Sequence, residues 1–307
     1  MGGAAGASSA AILGEAERRM TISGKTMLAG VIGWPVSHSR SPALHNYWCA
    51  RHGVDGAYVP LPVAPGALAA ALKGLMAAGF RGVNVTIPHK EEAFRLVDAL
   101  TAAAKRAGAV NTIRFEPDGT MRGDCTDGTG FVANLEAHDC AMSGQALVLG
   151  AGGAARAVTA ALLDAGCDVL IANRTRDRAE SLVAALGGGT VIDWDRWPYA
   201  LARCRLLVNA TSLGLAGHQD HDWTAPLREA PAGMTVADIV YVPLETPLLR
   251  AAKARGLKTV DGLGMLIQQA RAGFAAWFGI WPDADAETRA LLVRGLGEGA
   301  LDEGGQD

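Results

Sequence analysis

The stretch from Gln145 to Arg178 constrains the fold more than any other part of the chain. An apolar run, Ala146-Leu147-Val148-Leu149, reads as a buried strand, and Gly150-Ala151-Gly152-Gly153-Ala154-Ala155 follows it directly. A helical segment from Arg156 to Ala165 is stopped by Gly166, and a second apolar run, Val169-Leu170-Ile171-Ala172, completes a strand–helix–strand unit. Gly150, Gly152 and Ala155 fall in the three small-residue positions of G-x-G-x-x-G/A. In that pattern the first glycine permits a tight turn, the second lets the backbone approach a pyrophosphate, and the third small residue lets helix and strand pack closely. The helix start then aims unpaired N–H groups at the anion.

A unit of this kind that takes NAD carries Asp or Glu about 20 residues on, where it holds the ribose 2′-hydroxyl. Here the second strand runs into Asn173-Arg174-Thr175, with Arg178 one helical turn further. No carboxylate stands there to repel a 2′-phosphate, and two guanidinium groups are in place to grip one. The pattern therefore favours NADP. The competing reading is that Arg174 and Arg178 are only the solvated start of a helix.

A chain of 307 residues is long enough for about two domains. Half of it is hydrophobic and 19% is charged, which allows a sizeable core. A formal net charge of −3 offers no basic footprint for nucleic acid. The five cysteines (Cys49, Cys125, Cys140, Cys167, Cys204) are scattered and odd in number, without C-x-x-C pairing. That speaks against a disulfide framework or a zinc site and fits a reducing, cytoplasmic setting. No window has the length of uncharged apolar sequence that spans a bilayer. Residues 1–24 lack a basic start followed by an apolar core, so they read as a mobile tail and not as a signal peptide.

In the first half, an apolar strand from Met27 to Ile32 leads into Gly33-Trp34-Pro35-Val36-Ser37-His38-Ser39-Arg40-Ser41-Pro42. Ser41 before Pro42 reads as the cap of a helix running to His52 and Gly53. Ser39 and Ser41 can bind a carboxylate or polyol, or can simply turn and cap the chain. Strand Ala57 to Val63 and helix Pro65 to Ala78 follow, then strand Val83 to Ile87, closed by Pro88. His89 and Lys90 open a helix expected to end near Leu100. A cation in a first helical turn faces the positive end of the dipole, a local conflict of the sort found at working sites. The alternative is a surface Lys beside Glu91 and Glu92. Val110 to Phe115 and Thr120 to Gly123 read as two strands, and Asp124 and Asp127 as candidate helix caps.

These blocks together identify a family. The chain resembles the shikimate dehydrogenase family from about Met27 to Leu296, through His38 to Pro42, Asn84 to Glu91, Ala107 to Thr112, Gly123 to Gly128, Gly150 to Ala155, Asn173 to Thr175, and Asp261 to Leu266. The resemblance implies an NADP-dependent oxidoreductase acting on shikimate and 3-dehydroshikimate in aromatic amino-acid biosynthesis. It implies that Ser39, Ser41 and Thr86 bind the substrate carboxylate, and that Asn111, Asp127 and Gln269 hold ring hydroxyls. It makes Lys90 and Asp127 the catalytic pair. Gly150, Ala151, Gly152, Gly153 and Ala154 would cradle the pyrophosphate, and Asn173, Arg174, Thr175 and Arg178 the 2′-phosphate. Trp34-Pro35 and Val242-Pro243 depart from the Asn-Pro frequent in relatives, without removing a residue that has an assigned role.

In the second half, strands are expected at Val191-Ile192, Leu206 to Asn209, Val236 to Tyr241 and Leu257 to Val260. Thr211 follows a strand's carboxyl end, where it either meets cofactor or caps its own loop. Tyr241 is a candidate pocket wall for substrate. Gly262 and Met265 would lie by the nicotinamide, while Phe274, Trp277 and Phe278 read as core. The expected architecture is α/β with two domains. A discontinuous substrate domain (25–125 and 262–300) encloses a Rossmann-type NADP domain (126–261), with the cleft between them and a short tail at 301–307. The expected partners are small molecules only, with no metal, no nucleic acid and no membrane, in a monomer or homodimer. Quinate/shikimate or aminoshikimate dehydrogenases, glutamyl-tRNA reductase and a non-catalytic NADP-binding regulator are the rival readings.

Overall fold

The computed structural model describes residues 22–215 and 221–298. Most of the tail expected at 1–24, and the one at 301–307, lie outside the described residues. Within 22–24, Ser23 is tied down, its hydroxyl donating to Asp55 at 3.1 Å.

The first lobe contains β1 (Met27–Gly33), α1 (Ser41–Arg51), β2 (Gly56–Pro62), α2 (Leu68–Ala77), β3 (Gly82–Val85), α3 (Lys90–Leu96), β4 (Ala99–Leu100), α4 (Ala102–Ala107), β5 (Thr112–Phe115) and β6 (Met121–Asp124). Its sheet runs in the order β2-β1-β3-β5-β6-β4, with β5 antiparallel to both neighbours. The second lobe contains α5 (Asp127–Glu136), β7 (Gln145–Leu149), α6 (Gly153–Asp164), β8 (Asp168–Ala172), α7 (Arg176–Leu186), β9 (Thr190–Ile192), α8 (Trp197–Ala200), β10 (Leu206–Asn209), β11 (Thr235–Asp238), α9 (Pro247–Ala254) and β12 (Lys258–Val260). This sheet is parallel throughout, in the order β12-β11-β10-β7-β8-β9. That is the doubly wound dinucleotide-binding order, in which β7 and β10 form the switch point. Helices α10 (Gly262–Phe278) and α11 (Ala286–Glu298) close the chain.

Burial explains the pattern. Leu147, Leu149, Leu207 and Val236 enter the core on one face of the second sheet, and Ala146, Val148, Val208 and Ala237 on the other. Strands covered on both faces are apolar runs with no alternation. Phe274, Trp277 and Phe278 are buried in the first lobe, as the helical spacing predicts.

Helices α5 and α10 pack side by side at the junction of the lobes. A Cβ on Gly130 would stand 2.7 Å from Gln269 Cβ, and one on Gly264 would stand 1.8 Å from Asn134 Oδ1. Only glycine permits these approaches.

Several boundaries differ from expectation. Helix α3 stops at Leu96, because Asp98 turns to pair with β6: its N–H donates to Met121 O at 2.9 Å and its carboxylate accepts from Met121 N at 2.7 Å. The short β4 takes the last residues expected to belong to that helix, and α4 follows it. Helix α2 begins at Leu68, three residues after Pro65. Strand β11 ends at Asp238, whose side chain takes the Val240 N–H at 3.0 Å, so Tyr241 lies in the following loop. Arg40, not Ser41, occupies the cap of α1. Neither Asp124 nor Asp127 caps a helix. Thr126 holds the α5 cap position, and Asp124 accepts from Thr101 Oγ1 at 2.5 Å and Cys125 N at 2.8 Å.

Candidate active site

The α3 start is pinned before Lys90 is considered. His89 is buried with Nε2 2.7 Å from Val63 O, its backbone N–H donates to Thr86 O, and the Lys90 carbonyl accepts from Val110 N at 3.0 Å. These contacts aim Lys90 toward the start of α5. Its Nζ donates to Asp127 Oδ2 at 2.5 Å, in a pair whose side chains are 14% and 7% exposed. A charge-assisted bond so sheltered is much stronger than a surface ion pair. This answers the alternative raised by the sequence: Lys90 is no solvated residue paired with Glu91 or Glu92.

Asn111 supplies the other half of the carboxylate's environment. Its Nδ2 lies 2.9 Å from Asp127 Oδ1 and 3.2 Å from Gln269 Oε1, while its Oδ1 accepts the Thr126 backbone N–H at 2.9 Å. Because a backbone N–H can only donate, the orientation of the Asn111 amide is settled. Gln269, on α10, donates to Leu266 O at 3.1 Å. Lys90, Asn111, Asp127 and Gln269 thus converge from four segments of the chain.

The serine loop leaves the end of β1 beside Thr86. Ser41 N donates to Ser39 Oγ at 3.3 Å, and a Cβ on Gly33 would meet Thr86 Cγ2 at 2.6 Å, so Thr86 packs on the strand that feeds the loop. Tyr241 packs against the core beneath that loop. Burial raises its phenol pKa, and the neighbouring Arg40 opposes the rise. Cys125, two residues before Asp127 in the chain, is buried with its thiol pushed up to about 12 and is therefore unreactive.

The Gly-rich turn forms the facing wall. Gly150 has φ +113, and a Cβ there would stand 2.7 Å from Ala210 O; at Gly152, by contrast, a Cβ would meet nothing within 4 Å. The first glycine is thus demanded by the turn, and the second leaves backbone open to a ligand. Helix α6 begins at Gly153, where a Cβ would lie 3.5 Å from Lys90 Cβ and Cδ. Ala151 is buried, and Ala154 lies in the first turn of α6. At the end of β8, Asn173 Nδ2 donates to Thr175 O at 2.8 Å. Arg176 is engaged by Glu180 and Asp193, whereas among the described residues exposed Arg174 and Arg178 enter no ion pair. These features fit a dinucleotide carrying an extra phosphate.

Thr211 is committed to its own loop: its hydroxyl donates to Asn209 Oδ1 at 2.7 Å and accepts from Leu213 N at 3.0 Å. Gly262 abuts the β11 loop, where a Cβ would stand 2.4 Å from Ile239 O, and Met265 is buried in the core of the second lobe.

Sequence reasoning passed over Tyr58, Asn84, Thr112 and Thr126, all buried and all within the hydrogen-bonded network around Asn111. One signal was present: Asn84 interrupts the apolar strand Val83–Val85. Asn209 and Asp238 are likewise buried and joined at 3.0 Å beneath the Thr211 loop. Among the described residues no group of three or more His, Cys, Asp or Glu could hold a metal ion, and no helix is long and apolar enough to cross a membrane.

Comparison with known proteins places this geometry. A model of the shikimate dehydrogenase substrate binding domain matches residues 31–113, and one described as shikimate / quinate 5-dehydrogenase matches residues 133–245. A protein of Gluconobacter oxydans named shikimate dehydrogenase (NADP(+)) is 65% identical, with 90% of this chain and 98% of that protein aligned. One of the same name from Rhodospirillum rubrum is 55% identical over 89% of this chain and 99% of its own length. The crystal structure of shikimate 5-dehydrogenase from Thermus thermophilus, in complex with NADP(H) and shikimate, superposes with a TM-score of 0.78 at 38% identity, covering 88% of this chain and 99% of that one. A likeness that runs through both lobes at such identity leaves one assignment: the chain belongs to the shikimate dehydrogenase family.

Proposed function

We propose that the protein catalyses the reversible NADPH-dependent reduction of 3-dehydroshikimate to shikimate, with Lys90 and Asp127 as the catalytic pair. The observation that carries the reading is the sheltered Lys90–Asp127 contact of 2.5 Å, set beside the start of the Gly-rich helix at Gly153. When bound, NADPH supplies the hydride that turns the carbonyl carbon into an alcohol carbon, and NADP takes it back in the reverse direction. Gly150, Gly152 and the α6 start would hold its pyrophosphate, and Arg174 and Arg178 its 2′-phosphate. The described loops leave the Thr211 hydroxyl as a brace for that wall.

The residues of the chain handle the proton and the position. Lys90 Nζ delivers a proton to the carbonyl oxygen during reduction and recovers it from the hydroxyl during oxidation. Asp127 accepts from Lys90 on Oδ2 and from Asn111 on Oδ1, which orients the amine and leaves the carboxylate within reach of a ring hydroxyl. Ser39, Ser41 and Thr86 would bind the substrate carboxylate at the other end of the pocket, with Tyr241, Asn111 and Gln269 fixing the ring. The enzyme would act in the cytoplasm as a monomer or homodimer on small molecules alone. Residues 25–125 with 262–300 would form the substrate domain and 126–261 the NADP domain.

The test is spectrophotometric. Purified protein given shikimate and NADP should raise absorbance at the reduced-cofactor wavelength, and much more weakly with NAD. No rise with shikimate would refute the substrate, and an equal rise with NAD would refute the choice of carrier. Because the matching family description also names quinate, quinate belongs in the same assay; a kcat/KM for quinate above that for shikimate would favour the quinate reading.

A further inference from the structure

Asn84 stands where a strand wants an apolar residue. Its neighbours Val83 and Val85 enter the core with Leu68 and Leu72, and the two-residue period sends Asn84 to the opposite face, beside Tyr58. It is only 6% exposed. A buried amide is destabilising unless its hydrogen bonds are made, and here they are. Asn84 Nδ2 donates to Asn111 O and to Thr112 Oγ1, both at 3.0 Å, and Asn84 Oδ1 accepts from the Tyr58 hydroxyl at 2.6 Å.

The direction of every bond in this chain is determined. The Asn111 carbonyl can only accept, so the Asn84 NH2 must face it and Oδ1 must face Tyr58. Thr112 Oγ1, accepting from Asn84, has its own hydrogen left for Asn111 Oδ1 at 3.1 Å. That oxygen also accepts from Thr126 N at 2.9 Å, so the Asn111 NH2 faces Asp127 Oδ1 at 2.9 Å, which leaves Asp127 Oδ2 to Lys90 at 2.5 Å. A one-way path thus runs from Tyr58 to the acid–amine pair. It starts in residues, Tyr58, Asn84 and Thr112, that have no contact with a ligand in the reading given above.

We propose that Asn84 is a positioning residue: by holding the Asn111 carbonyl and, through Thr112, the amide that Thr126 N also orients, it keeps Asn111 in place against Asp127 and so keeps Asp127 aimed at Lys90. The proposal rests on the dehydrogenase activity proposed above. Asn84→Asp keeps the shape but puts a carboxylate oxygen where the donor stood, so the Thr112 hydrogen turns away from Asn111. The expected result is a kcat lower by about 100-fold, a displaced pH midpoint of kcat, and a KM for shikimate within about 3-fold of the parent. Thr112→Val breaks the same path with a smaller change, and kcat should fall by about 10-fold; Thr112→Ser should restore it.

NADP binding, followed by fluorescence titration, should be unchanged in all three variants, which guards against a variant that merely misfolds. If Asn84→Asp does not fold, the Thr112 pair decides alone. The proposal is overturned if Thr112→Val keeps the parent kcat and pH midpoint. It is equally overturned if Thr112→Ser fails to recover what Thr112→Val lost. Parent protein assayed alongside separates the two levels: active parent with unaffected variants removes only the positioning role, whereas inactive parent removes the dehydrogenase reading and this proposal with it.

Discussion

Replacing Asp238 with Asn should make the protein more stable at neutral pH, and the size of the gain follows from the site. Asp238 is 1% exposed at the end of β11, and its hydrogen bonds are all with neutral groups: Val240 N and Asn209 Nδ2 at 3.0 Å on Oδ1, and Thr246 Oγ1 at 2.7 Å on Oδ2. Burial raises its pKa from 3.8 to about 6, against the pull of those hydrogen bonds. At about 1.4 kcal/mol per pH unit, that displacement is worth about 3 kcal/mol.

The sign follows from proton counting. For an acid whose folded pKa lies above its unfolded one, the folded state holds the proton more tightly. Stability therefore falls as pH rises from about 4 to about 6 and stays lower above that window. Asn mimics the protonated acid, since its NH2 can donate to Thr246 Oγ1 while its oxygen accepts from Val240 and Asn209. At pH 4, Asp238→Asn should match the parent within about 1 kcal/mol. At pH 8 it should exceed the parent by about 3 kcal/mol. Urea unfolding of both proteins at pH 4, 6 and 8 reads the difference, and titrations common to both cancel. A gap that does not change with pH, or a variant weaker than the parent at pH 8, would refute the reasoning.

Three further outcomes are expected. Lys90→Ala should lower kcat by about two to four orders of magnitude with KM within a few-fold, in steady-state assays; near-normal turnover would reduce Lys90 to a binding residue. Arg174→Ala and Arg178→Ala should each weaken NADP by about 10- to 100-fold and leave NAD unchanged, as measured by fluorescence titration with both carriers. Gly264→Ala would press a methyl into Asn134 Oδ1, 1.8 Å away, and force α5 and α10 apart. It should destabilise by about 2–3 kcal/mol in urea unfolding and raise the KM for shikimate through Gln269, further along the same helix.

Local chemistry made much of this protein legible in advance. The apolar runs flanking Gly150–Ala155 needed burial on both faces, and Asn173-Arg174-Thr175 offered cations where an NAD site offers a carboxylate. Lys90 in a first helical turn was visible as a local conflict, and its partner Asp127 entered through the family resemblance. Phe274, Trp277 and Phe278 announced a core face by their spacing. Less visible were element ends decided by a single side-chain bond. The end of α3 is decided by Asp98 meeting Met121, and the end of β11 by a side chain bonding its own loop. Neither leaves a mark in helix or strand propensity.

Short-range rules thus determined the strand–helix–strand unit, its glycine-rich turn and the choice of carrier, because turns, caps and periodicity act over a few residues. Tertiary structure alone decided that Asn111 serves Asp127, and that Asn84 and Asp238 are buried with neutral partners. Those facts depend on bonds between side chains that the chain's local order does not bring together, and the direction of a hydrogen bond exists only once both partners are in place.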